Sequence, residues 1–315
     1  MSPQSDKTKK RSPKKQKNSL SSGSAKKSGY ITIVGRPNVG KSTLLNYLVG
    51  QKLAGTSAKP QTTRDVIRGI LTEPRGQIVF IDTPGVHRPH DLLGERMVKG
   101  AEGSLKGADV IFFMIVPHFA EEEEHRILNW IKQQKAPAFL VINQVDRFPR
   151  DKILPVIESY QLLHTFQEYI PISAKQGIQI PLLLEKAFDN LPVGEPFFPE
   201  DQLSDQSERF HVQEMIREKV FRRLGQEVPY STAVRMDSFK EDVGKKIEIQ
   251  AAIVVERDSQ KKIVIGAGGE KIKQIGIDAR VDIEKFLGRK VILKLWVRVR
   301  ENWKDNPGLL KEYGH

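Results

Sequence analysis

The chain contains 315 residues, of which 38% are hydrophobic and 29% are charged, a balance typical of water-soluble globular proteins. It has no cysteine, which excludes disulfides, thiolate nucleophiles and every zinc or iron–sulfur site with a cysteine ligand. The longest strongly apolar run, residues 110–116, is far shorter than the roughly 20 residues that span a bilayer, and we recognise no signal peptide. We therefore expect a soluble intracellular protein, and the formal charge of +12 favours a polyanionic partner.

This positive charge is unevenly distributed along the chain. Residues 1–29 carry +8, residues 30–200 are neutral and residues 201–315 carry +4. The first segment is rich in Lys, Ser and Pro, and it cannot bury enough apolar surface to offset the entropy lost on ordering. We predict a disordered basic tail over residues 1–28. A transit peptide is the less favoured alternative, because the tail has no amphipathic stripe.

Apolar runs then alternate with longer polar stretches up to residue 192. The runs predicted as strands are 30–34, 78–81, 110–116, 138–142 and 169–172. Stretches 121–134 and 178–188 fit a helical period. This alternation predicts an α/β domain over residues 29–192, with a mostly parallel sheet and helices on both faces. Residues 193–205, entered through a proline-rich stretch, are predicted as a linker.

A phosphate-binding motif directly follows the first predicted strand. Gly35-Arg-Pro-Asn-Val-Gly-Lys41-Ser42 matches GxxxxGK[ST] completely and leads into an apolar helical stretch. Its glycines allow successive backbone N–H groups to surround phosphate oxygens at a helix N-terminus. Lys41 would reach the β- and γ-phosphates, and the Ser42 hydroxyl would bind Mg²⁺. The residues predicted to hold the nucleotide here are Gly35, Asn38, Val39, Gly40, Lys41, Ser42 and Thr43.

Two further strand ends favour a GTPase over another nucleotide enzyme. Asp82 ends one apolar run and is suited to hold Mg²⁺ through water, while the Gly85 N–H can sense the γ-phosphate. Asp146 can accept the N1 and N2 hydrogens of guanine, a pair that adenine does not offer. The remaining predicted guanine-side residues are Asn143, Gln144, Ser173, Ala174 and Lys175.

Together with Pro60-Gln-Thr62-Thr63-Arg64 in the loop after the first helix, these motifs resemble the Era family of GTPases, from about residue 29 to the C-terminus. The resemblance implies that this loop is the first switch, whose threonine coordinates Mg²⁺ beside GTP. Thr63 is favoured for that role, and Thr62 is the alternative.

The resemblance also implies a cellular role. Members of the family hydrolyse GTP, bind small-subunit (16S) ribosomal RNA near its 3′ end and support assembly of the 30S subunit. By the same resemblance we expect a monomer in the cytoplasm, peripherally associated with the inner face of the cell membrane.

Two departures from the usual GTPase pattern bear on activity. Gln144 replaces the lysine of Asn-Lys-x-Asp, which packs along the base, so nucleotide affinity is expected to fall while Asp146 preserves selectivity. Val86 stands where Ras-like proteins carry a water-orienting glutamine, which predicts slow intrinsic hydrolysis. In related GTPases an asparagine at the position of Asn38 helps to hold K⁺; stabilisation of the turn is the equally weighted alternative. The residues assigned to catalysis are Lys41, Thr63, Gly85 and Asn38.

The basic C-terminal part, residues 206–315, is predicted to form an α+β type II KH domain. Its GxxG loop is Gly266-Ala-Gly-Gly269, and Lys271 and Lys273 follow it. A KH domain clamps about four nucleotides of single-stranded backbone against such a loop. Ala267 stands where the family often has a basic residue, so some phosphate affinity is expected to be lost. The predicted RNA-binding residues are Gly266, Ala267, Gly268, Gly269, Lys271 and Lys273.

Two local predictions in this part have alternatives. Residues 263–265 have strand propensity, whereas the KH pattern predicts a short helix. The outward face of the last strand interleaves Lys294, Trp296 and Arg298, which suits nucleic acid, and an ordinary solvated face is the alternative.

Two other functions remain alternatives to an RNA-binding GTPase. The first is a non-enzymatic RNA chaperone in which GTP only orders the switches. The second is a P-loop kinase, which the Asn143 to Asp146 element disfavours.

Overall fold

The computed structural model describes residues 25–225, 227–243 and 246–315. The predicted tail therefore lies outside the described residues up to residue 24. The first strand begins at Lys27, two residues before the boundary that we predicted, because its N–H donates to the carbonyl of Arg75 over 3.0 Å.

Six strands form the first sheet in the spatial order β2-β3-β1-β4-β5-β6. Five of them run parallel, and β2 pairs with β3 in the antiparallel sense. The elements are β1 (Lys27–Val34), α1 (Lys41–Val49), β2 (Ile67–Glu73), β3 (Gly76–Asp82), α2 (Leu92–Gly103), β4 (Val110–Ile115), α3 (Glu122–Ile131), β5 (Ala138–Ile142), α4 (Ile153–Gln161), β6 (Glu168–Pro171) and α5 (Ile180–Asp189).

Helices cover both faces of this sheet, as the alternation of apolar and polar stretches predicts. Helices α1 and α5 pack on one face, and α2, α3 and α4 pack on the other. The sequence pattern missed β2, because the apolar residues of Ile67-Arg-Gly-Ile-Leu-Thr-Glu do not alternate strictly. With that addition the predicted α/β architecture is confirmed.

The segment predicted as a linker is docked along the first domain. The side-chain oxygen of the buried Gln77 accepts the N–H groups of Phe197 and Phe198 over 2.8 and 3.0 Å. The ring of Phe197 stacks on Tyr30 at 4.9 Å between centroids, and Ile70 on the edge strand donates to the Leu203 carbonyl. The segment is therefore held against the sheet edge.

The C-terminal domain has the strand and helix order of a type II KH fold. Its sheet has the order β7-β8-β9, with β7 and β8 antiparallel and β8 and β9 parallel. Its elements are α6 (Glu208–Arg223), β7 (Ala233–Val243), β8 (Lys246–Val255), α7 (Asp258–Ile265), α8 (Glu270–Leu287), β9 (Val291–Val299) and α9 (Pro307–Glu312).

Residues 263–265 are helical, as the KH pattern predicts and strand propensity does not. Val264 is fully buried while its neighbour Ile263 is exposed, and the Gln260 side chain caps the helix start by accepting two backbone N–H groups. Local capping and one buried contact thus outweigh the preference of the β-branched residues for a strand. Among the described residues, no helix has both the length and the apolar character that crossing a membrane requires.

Candidate functional site

The phosphate loop joins β1 to α1 at the carboxyl edge of the first sheet. A Cβ on Gly35 would lie 2.2 Å from the Met114 carbonyl oxygen, and one on Gly40, where φ is +99°, would lie 2.3 Å from the Asn143 amide nitrogen. Both positions therefore require glycine. The loop draws its backbone close to β4 and β5, and α1 begins directly after it.

Lys41 is buried at the base of this loop. Its ammonium donates to the carbonyl oxygens of Gly35 and Arg36 over 3.0 and 2.8 Å. Burial lowers the pKa of Lys41 to about 8, although the neighbouring Asp82 carboxylate opposes this effect. A buried ammonium bonded only to neutral carbonyls is well suited to bind an anionic phosphate.

Three oxygen-bearing side chains meet beside Lys41. The Ser42 hydroxyl donates to Asp82 Oδ2 over 2.6 Å and lies 2.8 Å from the Thr63 hydroxyl. Asp82 Oδ1 is buried and has no hydrogen-bond partner among the described residues. Burial raises the pKa of Asp82 to about 6, against the opposing effects of Lys41 and Ser42. Hydroxyl and carboxylate oxygens suit Mg²⁺, and the unsatisfied Oδ1 fits a site completed by a cation and its waters.

The two candidate threonines have different surroundings. Thr63 Oγ1 reaches Ser42, whereas Thr62 Oγ1 is bonded within its own loop, to Ser57 Oγ and the Lys59 carbonyl, over 2.7 Å in each case. The geometry favours Thr63 over Thr62 as the magnesium ligand.

Two side chains connect the guanine side of the site to the phosphate loop. Asn143 donates to the Val39 carbonyl over 2.7 Å and accepts the Ala174 N–H over 2.9 Å. Gln144 donates to the Asn38 carbonyl over 3.0 Å. These bonds fix the loops after β5 and β6 relative to the phosphate loop, as the base-binding interpretation requires.

The carboxylate predicted to read guanine is accessible. Asp146 is exposed, lines the cavity and makes no hydrogen bond or ion pair within the described ranges. Ser173 Oγ accepts the Gln176 N–H over 3.2 Å, so this side chain shapes the loop around Ala174. Lys175 is exposed at the cavity wall.

A cavity of about 1050 Å³ runs from Lys41 to Asp146. Most of the predicted nucleotide residues line it, while Gly35, Asp82 and Ala174 lie behind the surface. Residues that sequence reasoning missed also line it, including Arg36, Gln61, His87 and Arg147. Arg36 and Gln61 stand at variable positions inside the two quoted motifs, whereas His87 and Arg147 belong to no motif and are brought to the site by the fold of the chain.

The backbone at Gly85 and Val86, on the catalytic side of the cavity, is tightly packed. A Cβ on Gly85 would lie 2.6 Å from Pro37 Cα, and Val86 is fully buried with its N–H bonded to the Gly35 carbonyl. The Val86 side chain is thus turned into the core, away from any attacking water. Asn38, where φ is +64°, donates to the Ala58 carbonyl over 2.9 Å.

The KH domain has its own cleft beside the GxxG loop. Gly268 and Gly269 have φ values of +58° and +80°, and a Cβ at either position would meet no atom within 4 Å. Glycine is therefore needed there for backbone conformation, and the space beside it is open. A second cavity, of about 290 Å³, lies between α8 and β9. Its lining residues are Ile272, Lys273, Gly276, Ile277, Arg280, Leu293 and Leu295.

Cations at this cleft and on the outward sheet face differ in their partners. Lys271, Lys273 and Arg280 form no ion pair with any residue that the structure describes, whereas Lys294 pairs with Glu248 over 2.7 Å. Arg298 lies 3.4 Å from Asp237. The outward face is therefore largely neutralised, and the cleft carries the available positive charge. Arg280 was missed in the sequence because it belongs to no motif.

The first switch packs directly on the KH domain. Arg64, the neighbour of Thr63, is 2% exposed and donates to the Thr232 carbonyl over 2.6 Å. Its guanidinium lies over the rings of Phe221 and Trp303, at 5.4 and 5.6 Å from their centroids. The cluster of Ser42, Thr63 and Asp82 is thus one residue away from the domain interface.

Other contacts extend this interface on both sides of Arg64. Arg222, at the end of α6, donates to the Thr56 carbonyl over 3.0 Å. Leu93 and Met97 of α2 pack in one apolar cluster with Trp303, which also packs on the C-terminal helix. The interface therefore joins the KH domain to the segments on both sides of the γ-phosphate position.

This fold and this site define a P-loop GTPase joined to a KH domain. The family model described as "50S ribosome-binding GTPase" matches residues 30–144, and the model described as "KH domain" matches residues 227–304.

Curated relatives carry the same arrangement over nearly their whole length. GTPase Era of Lactobacillus helveticus is 48% identical over 289 residues, which cover 92% of this chain and 96% of the relative. GTPase Era of Clostridium botulinum is 47% identical over 293 residues, which cover 92% and 98%. The chain therefore belongs to the Era family of GTPases, and it binds guanine nucleotides and hydrolyses GTP.

Solved structures of the family match closely. A variant of Aquifex aeolicus Era bound to GDP.AlF4- has a TM-score of 0.88 and 40% identity, covering 91% of this chain and 99% of that one. Era in complex with MgGDPNP and nucleotides 1506–1542 of 16S ribosomal RNA has a TM-score of 0.89 and 40% identity, covering 92% and 99%.

Proposed function

We propose that this GTPase acts as a switch in assembly of the 30S subunit, and that its KH domain binds small-subunit ribosomal RNA near the 3′ end. The observation that carries this proposal is the buried Arg64, which links the first switch to the KH domain. Through this link, a rearrangement at Thr63 acts directly on the RNA-binding module. A relative of similar structure binds nucleotides 1506–1542 of 16S ribosomal RNA, which supports the choice of RNA.

At the nucleotide, the proposed roles follow from the geometry. Ser42, Thr63 and Asp82 would hold Mg²⁺, which, when bound, neutralises charge on the β- and γ-phosphates. Lys41 exchanges its two carbonyl partners for phosphate oxygens, and the Gly85 N–H faces the γ-phosphate. Asp146 accepts the two guanine N–H hydrogens, which gives selectivity against adenine.

Hydrolysis is proposed to depend on help from outside the chain. Val86 is buried and cannot orient water, so charge on the transferred group must be balanced by another cation. The Asn38 amide nitrogen is bonded to Ala58, which leaves its oxygen for K⁺. GTP turnover is expected to fall when K⁺ is replaced by Na⁺ at constant ionic strength, and unchanged turnover would remove K⁺ from the proposal.

The RNA assignment is tested by crosslinking the protein to RNA in cells and sequencing the bound fragments. We expect enrichment of the 3′ end of small-subunit ribosomal RNA. In an otherwise wild-type chain, Lys273→Ala with Arg280→Ala should abolish the enrichment, because these side chains supply unpaired cations at the cleft. Recovery of scattered RNAs without ribosomal enrichment would contradict the assembly role.

The alternative of a non-enzymatic RNA chaperone is tested by turnover. Multiple rounds of GTP hydrolysis that are lost in Lys41→Ala support the enzyme, whereas RNA remodelling that persists in this variant supports the chaperone. The kinase alternative requires ATP to compete equally with GTP, and the free Asp146 carboxylate opposes it.

We propose a GTPase domain that includes β1 from Lys27 and ends at residue 192, a linker over 193–205 and a KH domain over 206–315. Two further proposals rest on resemblance. We also propose a monomer that works in the cytoplasm and associates peripherally with the membrane. Sedimentation analysis and flotation with anionic vesicles test the last two proposals.

A further inference from the structure

The loop after β5 carries a glutamine where the Asn-Lys-x-Asp pattern has a lysine. Gln144 adopts a left-handed backbone conformation, with φ at +65°, and its amide nitrogen donates to the Asn38 carbonyl over 3.0 Å. The side chain therefore bridges the base-binding loop and the phosphate loop. An amide brings no positive charge to the face of the base, so the bridge alone does not replace a lysine.

Arg147 is placed to supply the missing charge. Its N–H donates to the Gln144 carbonyl over 2.9 Å, which closes a tight turn, and its Nη1 donates to Gln144 Oε1 over 3.3 Å. Arg147 is exposed, lines the nucleotide cavity and pairs with no acidic residue in the described part of the chain. Its guanidinium is thus positioned by Gln144 and its charge is available for a ligand.

We propose that Arg147, positioned by Gln144, stacks its guanidinium on the face of the bound guanine and so replaces the absent lysine. A planar, weakly hydrated guanidinium binds aromatic faces better than an ammonium does. Gln144 then holds the base-binding loop to the phosphate loop through its bond to the Asn38 carbonyl. This assignment rests on the proposed guanine site and adds to it the residue that contacts the base face.

Lys175 is the other cation at this end of the cavity. It lines the wall from the loop after β6 and makes no hydrogen bond with Gln144. Its ammonium is a compact point charge and, unlike a guanidinium, has no planar surface that could stack on the base. A contribution from Lys175 is therefore independent of the residue at position 144, whereas the contribution of Arg147 depends on it.

The test measures GDP affinity of the full-length protein by fluorescence titration. Arg147→Ala is expected to weaken GDP binding by about fivefold to thirtyfold, the upper part of the range for one cation–π contact, because the bound base shields this contact from water. Arg150→Ala, an exposed arginine outside the cavity, is the matched control and is expected to bind like the wild type. Arg147→Lys keeps the positive charge but lacks the planar guanidinium, so its GDP affinity should lie between those of the wild type and Arg147→Ala.

Two further readouts separate this role from others. Inosine diphosphate lacks the exocyclic amine of guanine. Arg147→Ala should therefore weaken binding of inosine diphosphate as much as binding of GDP, whereas Asp146→Asn should reduce the preference for GDP.

In a Gln144→Lys background the restored lysine covers the base, and the loss of GDP affinity caused by Arg147→Ala should fall below about twofold. Melting temperatures without nucleotide should be equal in the wild type, Arg147→Ala, Arg147→Lys and Arg150→Ala, because both arginines are exposed.

The outcomes are distinguishable. GDP affinity of Arg147→Ala equal to that of Arg150→Ala would overturn the assignment, and so would an unchanged loss in the Gln144→Lys background. A wild-type protein that fails to bind GDP would instead overturn the proposed guanine site.

Discussion

At the scale of single residues, the phosphate side of the nucleotide site contains buried polar groups that lack charged ligands. Asp82 has an unsatisfied oxygen, and Lys41 bonds only to carbonyls. Each is costly to bury alone, and in the proposed site each gains a partner, Lys41 from the phosphates and Asp82 from Mg²⁺. The site is therefore preorganised for its ligand, and these buried groups lower the stability of the ligand-free protein.

The choice between the two switch threonines gives a direct prediction. Thr63→Ala removes a hydroxyl beside Ser42 and is expected to lower the GTP hydrolysis rate by about tenfold or more. Thr62→Ala removes a bond within the loop and should have a much smaller effect. GDP affinity is the control and should change little, because the switch threonine acts beside the γ-phosphate. Equal losses of hydrolysis in the two variants would contradict the assignment.

The lowered pKa of Lys41 predicts a pH dependence of nucleotide binding. Its pKa in the free protein is about 8, below the ordinary value of 10.5, and phosphate binds the protonated form. GDP affinity should therefore fall as the pH rises through 8, by up to about eightfold between about pH 7.5 and 9, with proton uptake on binding.

Calorimetry in buffers with different ionisation enthalpies measures that proton uptake. Lys41→Arg keeps its charge across the range, so its GDP affinity should lose this dependence. A wild-type affinity that stays flat over the same pH range would show that Lys41 is charged in the free protein.

Much of the site at this scale was accessible from the sequence. The phosphate loop, Asp82, Asn143 and Asp146 follow strand ends, and parallel strands bring their carboxyl ends to one edge. Arg147 and Arg280 were missed, because their roles depend on a turn closed by Gln144 and on a cleft between α8 and β9. Neither arrangement has a fixed spacing in sequence.

At the scale of elements, the first switch is in direct contact with the KH domain through Arg64. Arg64 is held by a KH-domain carbonyl and by two aromatic rings, immediately after the residue placed at the magnesium site. Because Thr63 and Arg64 are adjacent in the chain, we expect a movement of Thr63 to alter the contacts of Arg64 with the KH domain.

Substitution of Arg64 tests this coupling. Arg64→Lys keeps the charge but loses the planar contacts, and we expect the ratio of RNA affinities between the GTP-analogue and GDP forms to shrink by about threefold or more. Fluorescence anisotropy with a labelled ribosomal 3′-end oligonucleotide measures the ratio. Arg68→Ala removes an exposed pair with Asp205 and is the control. A ratio preserved in Arg64→Lys would exclude this contact as the connection.

The docked linker is a second element with a measurable role. Gln77 is fully buried and makes hydrogen bonds to Phe197 and Phe198, so Gln77→Ala should lower the free energy of unfolding by about 1–3 kcal/mol. Urea unfolding measures this loss, and limited proteolysis should show faster cleavage within residues 193–205. Gln133→Ala, at an exposed position, is the control. Unchanged cleavage would show that the linker is held by other contacts.

Element types were well predicted where the apolar period is strong, and less well where context decides. Strand β2 was missed for lack of alternation, and residues 263–265 needed the domain pattern to outweigh strand propensity. The docking of the linker on Gln77 is a tertiary effect, since proline content predicts only that a helix is absent.

At the scale of the whole molecule, two domains share one interface, and the second of them carries a net charge of +4 while the first is neutral. Lys273 at the KH cleft has no ion pair among the residues that the structure describes, while Lys294 and Arg298 on the opposite sheet face lie beside Glu248 and Asp237. The sequence charge therefore indicated a polyanion correctly, but only the structure shows which surface has cations available to bind it.

The proposed function requires that the nucleotide state sets the affinity of the KH domain for ribosomal RNA. In this structure Thr63 already reaches the Ser42–Asp82 pair, and the fold matches a relative bound to MgGDPNP and RNA with a TM-score of 0.89.

The most direct test is equilibrium binding of a single-stranded oligonucleotide from the small-subunit ribosomal RNA 3′ end, with Mg²⁺ and either a nonhydrolysable GTP analogue or GDP. We expect binding to be about tenfold or more tighter with the analogue, a coupling within the usual range for allosteric proteins, and weak binding of a scrambled oligonucleotide in both states. Equal affinity in the two nucleotide states would contradict it.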